Sequence, residues 1–445
     1  MVSSPSSRNN RKSILLNMNI RKIVRLSPLF LLFLLCLPLP DFAQNDSIKQ
    51  NKILNELGNL KISGYLQTQW QYGEQAAALK VGAPNIGSSS FNRLGIRRGH
   101  LFFSYDNKSL LSGLFDLIIV DKYGGNGVSL RIWQASFDVK LPWERTCAIR
   151  TGVFNRPFGY EIGYSSSLTE STERSRIEQT IFPDDGDLGA MIILQPPATS
   201  TLSFIKFEGG LFAGGGVNPD VDNRKDFIGH LSVSKSAGSS IRYGGGVSYY
   251  NGGVYQTDNN IYTMVGNKFV LNDDAGNTGK YAKREYTGFD ARFSLQTVAG
   301  VTQVRGEYIW GTQPGTATSS MSPNSASLPA PQDTYIRPVM GWYAMLIQKI
   351  KTSPFSAVIK YDVYNPNTKV KNDEIGLNGT SATDVRYSTF GLGCLFDPTS
   401  QFRVLLYYEI VKNESSSNLA SPNWQNDFSK NRKDNIFTLR LQYRF

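Results

Sequence analysis

The sequence predicts an all-β fold: a transmembrane antiparallel β-barrel of about sixteen strands, with short periplasmic turns and long extracellular loops. Three observations predict it. Segments of about ten residues alternate apolar and polar side chains, the period that puts one set on each face of a strand. Short turn-forming connections alternate with long ones along the chain, an arrangement that an outer-membrane barrel requires and a soluble sandwich does not. No run of about twenty apolar residues follows the N-terminal segment, so a membrane helix is not indicated, whereas barrel strands need only short alternating stretches.

The C-terminal segment NIFTLRLQYRF shows the pattern most clearly. Phe437, Leu439, Leu441, Tyr443 and Phe445 fall on one face, and Thr438, Arg440, Gln442 and Arg444 on the other. By itself this face could cover a soluble core. Fifteen further candidates carry the argument: 60–72, 93–105, 109–121, 128–140, 146–155, 187–196, 201–213, 227–236, 240–251, 283–297, 300–311, 338–349, 355–364, 385–396 and 402–412. Their connections read DNK, LPWER, PPAT, KSAG, VAG, IKTSP and DPTSQ on one side, all rich in turn formers. On the other side stand 73–92, 156–186, 214–226, 252–282, 312–337, 365–384 and 413–433, with 122–127 the brief exception. An even strand count puts both ends of the barrel at the periplasmic rim. The segment SLLSGLFDLIIVD is apolar on nearly both faces, as a strand packed on a neighbouring subunit or on an infolded loop would be.

Composition fits. Charged residues are 19%, aromatics 12%, and 41 residues are glycine. Trp70, Tyr72, Trp310, Trp342, Tyr343, Tyr407, Tyr408 and Tyr443 lie near strand ends, and as a group they read as interfacial girdles. Residues 1–43 read as a signal peptide: Arg21, Lys22 and Arg25, then the apolar run LFLLFLLCLPL, then Ala43 at a cleavage position. Residues 44–59 read as a short periplasmic segment. Six basic residues and Asp41 fall within 1–43, so cleavage lowers the net charge from +11 to +6. That mild excess favours anions, but without a basic helix or a dense Lys/Arg run it does not indicate nucleic acid. Cys147 and Cys394 sit far apart in strand-like runs and read as two packed or lipid-facing thiols, with a single disulfide as the alternative.

Catalytic and cofactor chemistry finds little support. His100 and His230 have no neighbouring ligand set, and no G-x-S-x-G elbow appears. FPDDGD and LNDDAGN lack full calcium-loop spacing and read as turns. FAGGGV and YGGGVSYY are not phosphate loops, because no helix with Lys-Ser/Thr follows. No metal, no cofactor and no catalytic residue is expected.

The basic residues on the polar phase of the strands are the best functional signal. Arg150, Arg292, Lys360, Arg403, Arg440 and Arg444 alternate with apolar neighbours, so each is expected to face the lumen. A charge on the lipid face at mid-membrane costs about 2–4 kcal/mol. Arg97 and Arg98 are consecutive, so one should face each way, and Arg98 joins the pore-lining candidates. Luminal cations favour anions, unless Asp290, Asp362, Glu307 and Glu409 pair with them.

The stretch TGVFNRPFGYEIGYSSSLTESTERS, after RIWQASFDVKLPWERTCAIRTG, resembles the phosphate-selective porin O and P family. Gly152, Phe154, Pro157, Phe158, Gly159, Glu161, Glu173 and Arg174 carry the likeness, and LGIRRGHLFF resembles that family's entry strand. The likeness is clear over 90–195 and pattern-level elsewhere. It implies a sixteen-stranded trimeric barrel, luminal arginines and a passive channel for small hydrophilic solutes, with anion and phosphate preference in the selective members. It also implies a terminal-Phe strand read by the barrel-assembly machinery, and a surround of outer-membrane lipid and lipopolysaccharide. The loop 156–186 is expected to fold into the lumen, with Arg156, Glu161, Glu173, Arg174 and Arg176 at the constriction. A plainer reading makes Pro157-Phe158-Gly159 a structural turn and Glu173-Arg174 a local ion pair. The alternative function is a barrel with a plugged lumen that acts as an enzyme or surface-binding scaffold; a soluble secreted β-protein is a third reading.

Overall fold

A computed structural model describes residues 58–121, 128–321 and 332–445. The predicted signal peptide, all but the last two residues of the 44–59 segment, and the 122–127 connection lie outside them. The strands are β1 (Leu60–Gly73), β2 (Phe91–Asp106), β3 (Leu111–Asp121), β4 (Val128–Lys140), β5 (Ala148–Asn155), β6 (Gly186–Leu194), β7 (Ile205–Phe212), β8 (Asp226–Ala237) and β9 (Ile241–Tyr255). They continue as β10 (Ile261–Val265), β11 (Lys268–Asn272), β12 (Tyr281–Thr297), β13 (Gly300–Gly315), β14 (Thr334–Ile350), β15 (Phe355–Asn365), β16 (Tyr387–Phe396), β17 (Phe402–Asn413) and β18 (Ile436–Arg444).

All eighteen belong to one sheet. Sixteen are staves: β9 pairs directly with β12, and β18 pairs with β1 from Tyr65↔Arg444 to Gly73↔Ile436, closing the barrel. The sixteen staves are those read from the alternation, to within a few residues at each end. The other two form a hairpin inside the 256–280 connection, where β10 lies parallel to the start of β14. Sequence reading missed this hairpin because its short strands sit within a long polar loop. Its dock is aromatic: Tyr262 stacks on Tyr335 with ring centroids 4.4 Å apart.

Closure satisfies every stave edge, the condition for backbone to cross a bilayer as sheet. The outward face carries Leu66, Ile119, Leu231, Val247, Phe293, Leu346 and Leu441, all exposed. The inward face at the seam is polar. Gln67 donates to Gln442 at 2.6 Å, Gln71 to Thr438 at 3.0 Å, and Arg440 to Gln69 at 2.9 Å. Apolar outside and hydrogen-bonded inside, this is a barrel of the bacterial outer membrane.

One expectation changes. Tyr72, Trp310, Tyr408 and Tyr443 face outward, but Tyr343 and Tyr407 are buried inside, on the opposite phase. Adjacent residues on a strand point to opposite faces, so Trp342-Tyr343 and Tyr407-Tyr408 cannot both contribute two rings to one girdle. In β3 the inner face holds Ile118 and Asp116, and Asp116 is paired with His100 at 2.9 Å. Both described cysteines are free thiols.

Candidate functional site: the infolded loop and its cationic anchors

The segment between β5 and β6 enters the barrel. It turns at Gly159, whose φ of +61° suits glycine, and carries one short helix, α1 (Arg176–Ile181). One half of the loop is apolar. Phe158, Ile162, Ile177, Ile181 and Phe182 are buried in a cluster with wall residues such as Phe154, Phe212, Tyr250, Tyr286 and Val339. Ile177 sits so close to β14 that a Cβ on Gly341 would lie 2.6 Å from it. This packing fills the lumen against β5–β9 and β12–β15.

The other half is polar and held by ion pairs. Glu173 accepts from Arg97 through both oxygens at 2.6 Å, from Arg98 at 2.8 Å and from Arg440 at 3.1 Å. The expectation that Arg97 and Arg98 face opposite ways fails, because the register slips beside them. Gln67 pairs with Arg98 and Thr68 with Ile96, so Arg97 is the extra residue of a β-bulge and both guanidiniums reach the same carboxylate. The local Glu173–Arg174 pair is also replaced: Arg174 binds Asp185 instead.

Lys360 reaches Glu161 at 2.8 Å, and Glu161 also accepts from the Ser175 backbone at 2.6 Å. Arg156 is buried on Asp187 at 3.2 Å and on the Asp184 carbonyl. Arg403 binds Asp397 at 2.7 Å and the Leu168 and Thr169 carbonyls at 3.2 Å. Arg305 binds Glu170. Arg150 is taken by Asp138 at 2.7 Å, within the wall. Arg292 lies 3.8 Å from Asp290 and over the ring of Tyr160 at 4.5 Å. Arg444 is half-buried near the turn-side rim. The backbone of Arg176 donates to Asp362 at 2.9 Å, while its guanidinium lies over Tyr387 at 4.2 Å. Of the acids named as partners for the wall cations, Asp290 faces Arg292, whereas Glu307 accepts from the Glu161 backbone at 2.5 Å and from Tyr343 at 3.0 Å, and Glu409 accepts from Thr172 at 2.9 Å.

Sequence reading missed Arg305. Its signal was present: Arg305 and Glu307 alternate with Val304, Tyr308 and Trp310. The partner Glu170 lies 135 residues away, beyond what alternation reports.

Electrostatics divide the loop's carboxylates. Burial alone would raise Glu173, but Arg97 and Arg98, with Arg440, hold its carboxyl well below the usual range. Burial opposes and Lys360 prevails at Glu161, which is also lowered. Glu178 on α1 goes the other way. It is 1% exposed, neither oxygen has a hydrogen-bond partner among the described residues, and burial together with Glu307 and Glu161 pushes its carboxyl well above the usual range.

Among the described residues, three of the cavities border the loop. One of about 230 Å³ opens on the loop side between Lys80, Arg176, Lys360, Tyr387, Arg432 and Asp434. A second of about 220 Å³ borders Arg97, Arg98, His100, Arg131 and Glu178. A third of about 350 Å³ lies on the turn side, between Tyr160, Tyr164, Lys206, Glu208 and Arg292. Glu173 borders the first two. The described residues contain no cluster of three or more His, Cys, Asp or Glu side chains placed to hold a metal ion.

No protein-family model and no curated protein matches the chain. Solved structures do. An anion-selective porin from Comamonas acidovorans shares 11% identity over 87% of this chain and 99% of that one, with a TM-score of 0.47. Salmonella typhi OmpF, solved with daunomycin, shares 11% over 87% and 97%, at 0.49. OmpT, an outer membrane protein of Vibrio cholerae in trimer form, shares 11% over 87% and 99%, at 0.48.

Proposed function

We propose that the protein is a passive outer-membrane channel for small hydrophilic solutes with a mild preference for anions, and that it acts without catalysis or cofactor. The charge balance of the cavities carries this reading. The first is lined by five basic and four acidic side chains, the second by four and three, the third by two and one, not counting histidine. Each is lined by one more basic than acidic side chain, in a lumen walled by lipid-embedded sheet where charges act strongly.

In this reading the basic residues have two jobs. Arg98, Arg440, Lys360 and Arg403 anchor the infolded loop through its carboxylates and carbonyls. Arg292, Arg444 and Arg176, less fully engaged, give the lumen its bias, and Arg150 adds to the wall. Glu161, Glu173, Arg174 and Arg156 set the aperture by fixing where the loop lies. Phosphate is the anion that the family resemblance suggests. A homotrimer in lipid and lipopolysaccharide, assembled through the barrel-insertion machinery acting on the last strand, completes the proposal.

The apolar packing of Phe158, Ile177 and Phe182 favours a second reading, a barrel closed by its loop that serves as a scaffold. Conductance in a planar bilayer separates the two: an open channel gives stepwise current, a closed scaffold none.

A further inference from the structure

The turn-side rim carries a run of cations that the described carboxylates do not neutralise. Arg242 lies at the turn end of β9, Lys349 at that of β14 and Arg444 at that of β18. Each shares the luminal phase of its strand. Arg242 alternates with Ser248 and Tyr250, Lys349 with Tyr343 and Ile347, and Arg444 with Thr438 and Gln442, all of them buried inside. Arg242 and Lys349 are exposed, Arg444 is half-buried, and none of the three forms an ion pair among the described residues.

From β9 through β12 to β18 the rim passes eight staves. Two carboxylates stand on this arc: Asp397, which Arg403 holds at 2.7 Å, and the terminal carboxylate of Phe445, whose backbone pairs with Gly64. Five cations face them, Arg242, Lys349, Lys351, Arg403 and Arg444. On the next stave Lys61 continues the run, exposed and in phase with buried Tyr65 and Gln67.

Phase and spacing decide what these cations can meet. They point into the mouth, so lipid headgroups on the outer face are out of their reach. Neighbouring strands lie about 4.8 Å apart, which separates Arg242 from Lys349 by about 14 Å and Lys349 from Arg444 by about 19 Å along the rim. Both gaps exceed the Debye length of about 8 Å at physiological ionic strength. A small anion is therefore held by one cation at a time. A chain with anions along its length meets them in series, and the linked contacts add as avidity. The whole arc spans roughly 34 Å, which an extended polypeptide covers in about ten residues. Val298, at the tip of the β12–β13 turn between Arg242 and Lys349, is 96% exposed. An apolar side chain on the arc can pack on a peptide and has no counterpart in a mineral polyanion.

We propose that the turn-side arc from β9 to β18 is a docking surface for an extended acidic polypeptide segment of about ten residues. Its acidic side chains lie along Arg242, Lys349 and Arg444, with an apolar residue against Val298. The surface sits at the rim, apart from the infolded loop, so it stands whether or not the lumen conducts.

The test is fluorescence anisotropy of a labelled ten-residue peptide, nine glutamates and one leucine, titrated with the full barrel in non-ionic detergent. Saturable binding is expected, weakening at least about tenfold between about 50 and 200 mM salt. The combined change Arg242→Gln, Lys349→Gln and Arg444→Gln should weaken it at least about tenfold. The loop-side set Lys268→Gln, Lys280→Gln and Lys412→Gln should leave it unchanged, and Val298→Ser should weaken the peptide but not tripolyphosphate. No saturable binding by the wild-type protein overturns the proposal, whatever the variants do. Equal loss in the two charge sets overturns it as well, because the effect would then be one of net charge. Tripolyphosphate that displaces the peptide at equal charge concentration would assign the arc to mineral anions, and phosphatidylglycerol that displaces it would assign the arc to headgroups; either result removes the polypeptide.

Discussion

Arg97 grips Glu173 with two 2.6 Å contacts, although the strand pleat would have pointed Arg97 at lipid. The bulge opposite Gln67 and Thr68 turns it inward. Glu173 thereby neutralises cations of β2 and β18 at once. Replacing Glu173 with Gln leaves Arg97, Arg98 and Arg440 without their shared anion. The expected outcome is a several-fold rise in anion over cation permeability, read as a shift in reversal potential under a salt gradient. An unchanged reversal potential would show that these arginines do not face the permeation path.

Lys360, on β15 three staves round from β18, and Glu161 form a second anchor, and both are nearly inaccessible to water. Removing one partner strands the other as a buried charge, at a cost of about 3–5 kcal/mol. Lys360→Met should therefore loosen the 156–186 loop while leaving the barrel ladders intact. Limited proteolysis should cut the variant inside that loop, and a cut pattern identical to wild type would contradict the assignment.

Asp434 gives the loop-side mouth a pH response. Burial raises its carboxyl to about 6 against the pull of Arg176 and Arg432, with Glu74 also raising it. Above that value Asp434 is ionised, and as pH falls through it the mouth loses one negative charge. Anion preference should rise between about pH 7.5 and pH 5. Asp434→Asn should show the acid-side preference at both values. Identical pH slopes in the two proteins would remove Asp434 as the source.

Glu178 predicts a stability slope of definite sign. Its carboxyl is raised in the folded protein by burial, Glu307 and Glu161, with Asp185 adding and Arg174 opposing. A raised carboxyl contributes stability at low pH that is lost as pH climbs through the folded value. Glu178→Gln should flatten the decline of thermal stability at alkaline pH and make the variant the more stable protein there. A steeper decline in the variant would contradict this.

Much of this was legible in the sequence, for a physical reason. A barrel stave must repeat every two residues, because lipid on one side and polar lumen on the other leave no alternative. All sixteen staves were therefore readable, and so were the phases of Lys360 and Arg440. Devices that break the repeat were not. The bulge at Arg97 adds one residue without any compositional mark, and the β10–β11 hairpin hides in a polar connection. Partnerships were hidden as well. Glu173 stands beside Arg174 in the chain but pairs with residues 75, 76 and 267 positions away. Only the infolding of the loop, which apolar Phe158 and Ile177 drive, brings them together.

Single-channel conductance of the purified protein in a planar bilayer, with the reversal potential measured under a chloride gradient, tests the central claim most directly. Stepwise conductance with a modestly anion-selective reversal potential is the predicted result. A barrel that inserts but carries no current, or a current that prefers cations, would contradict it.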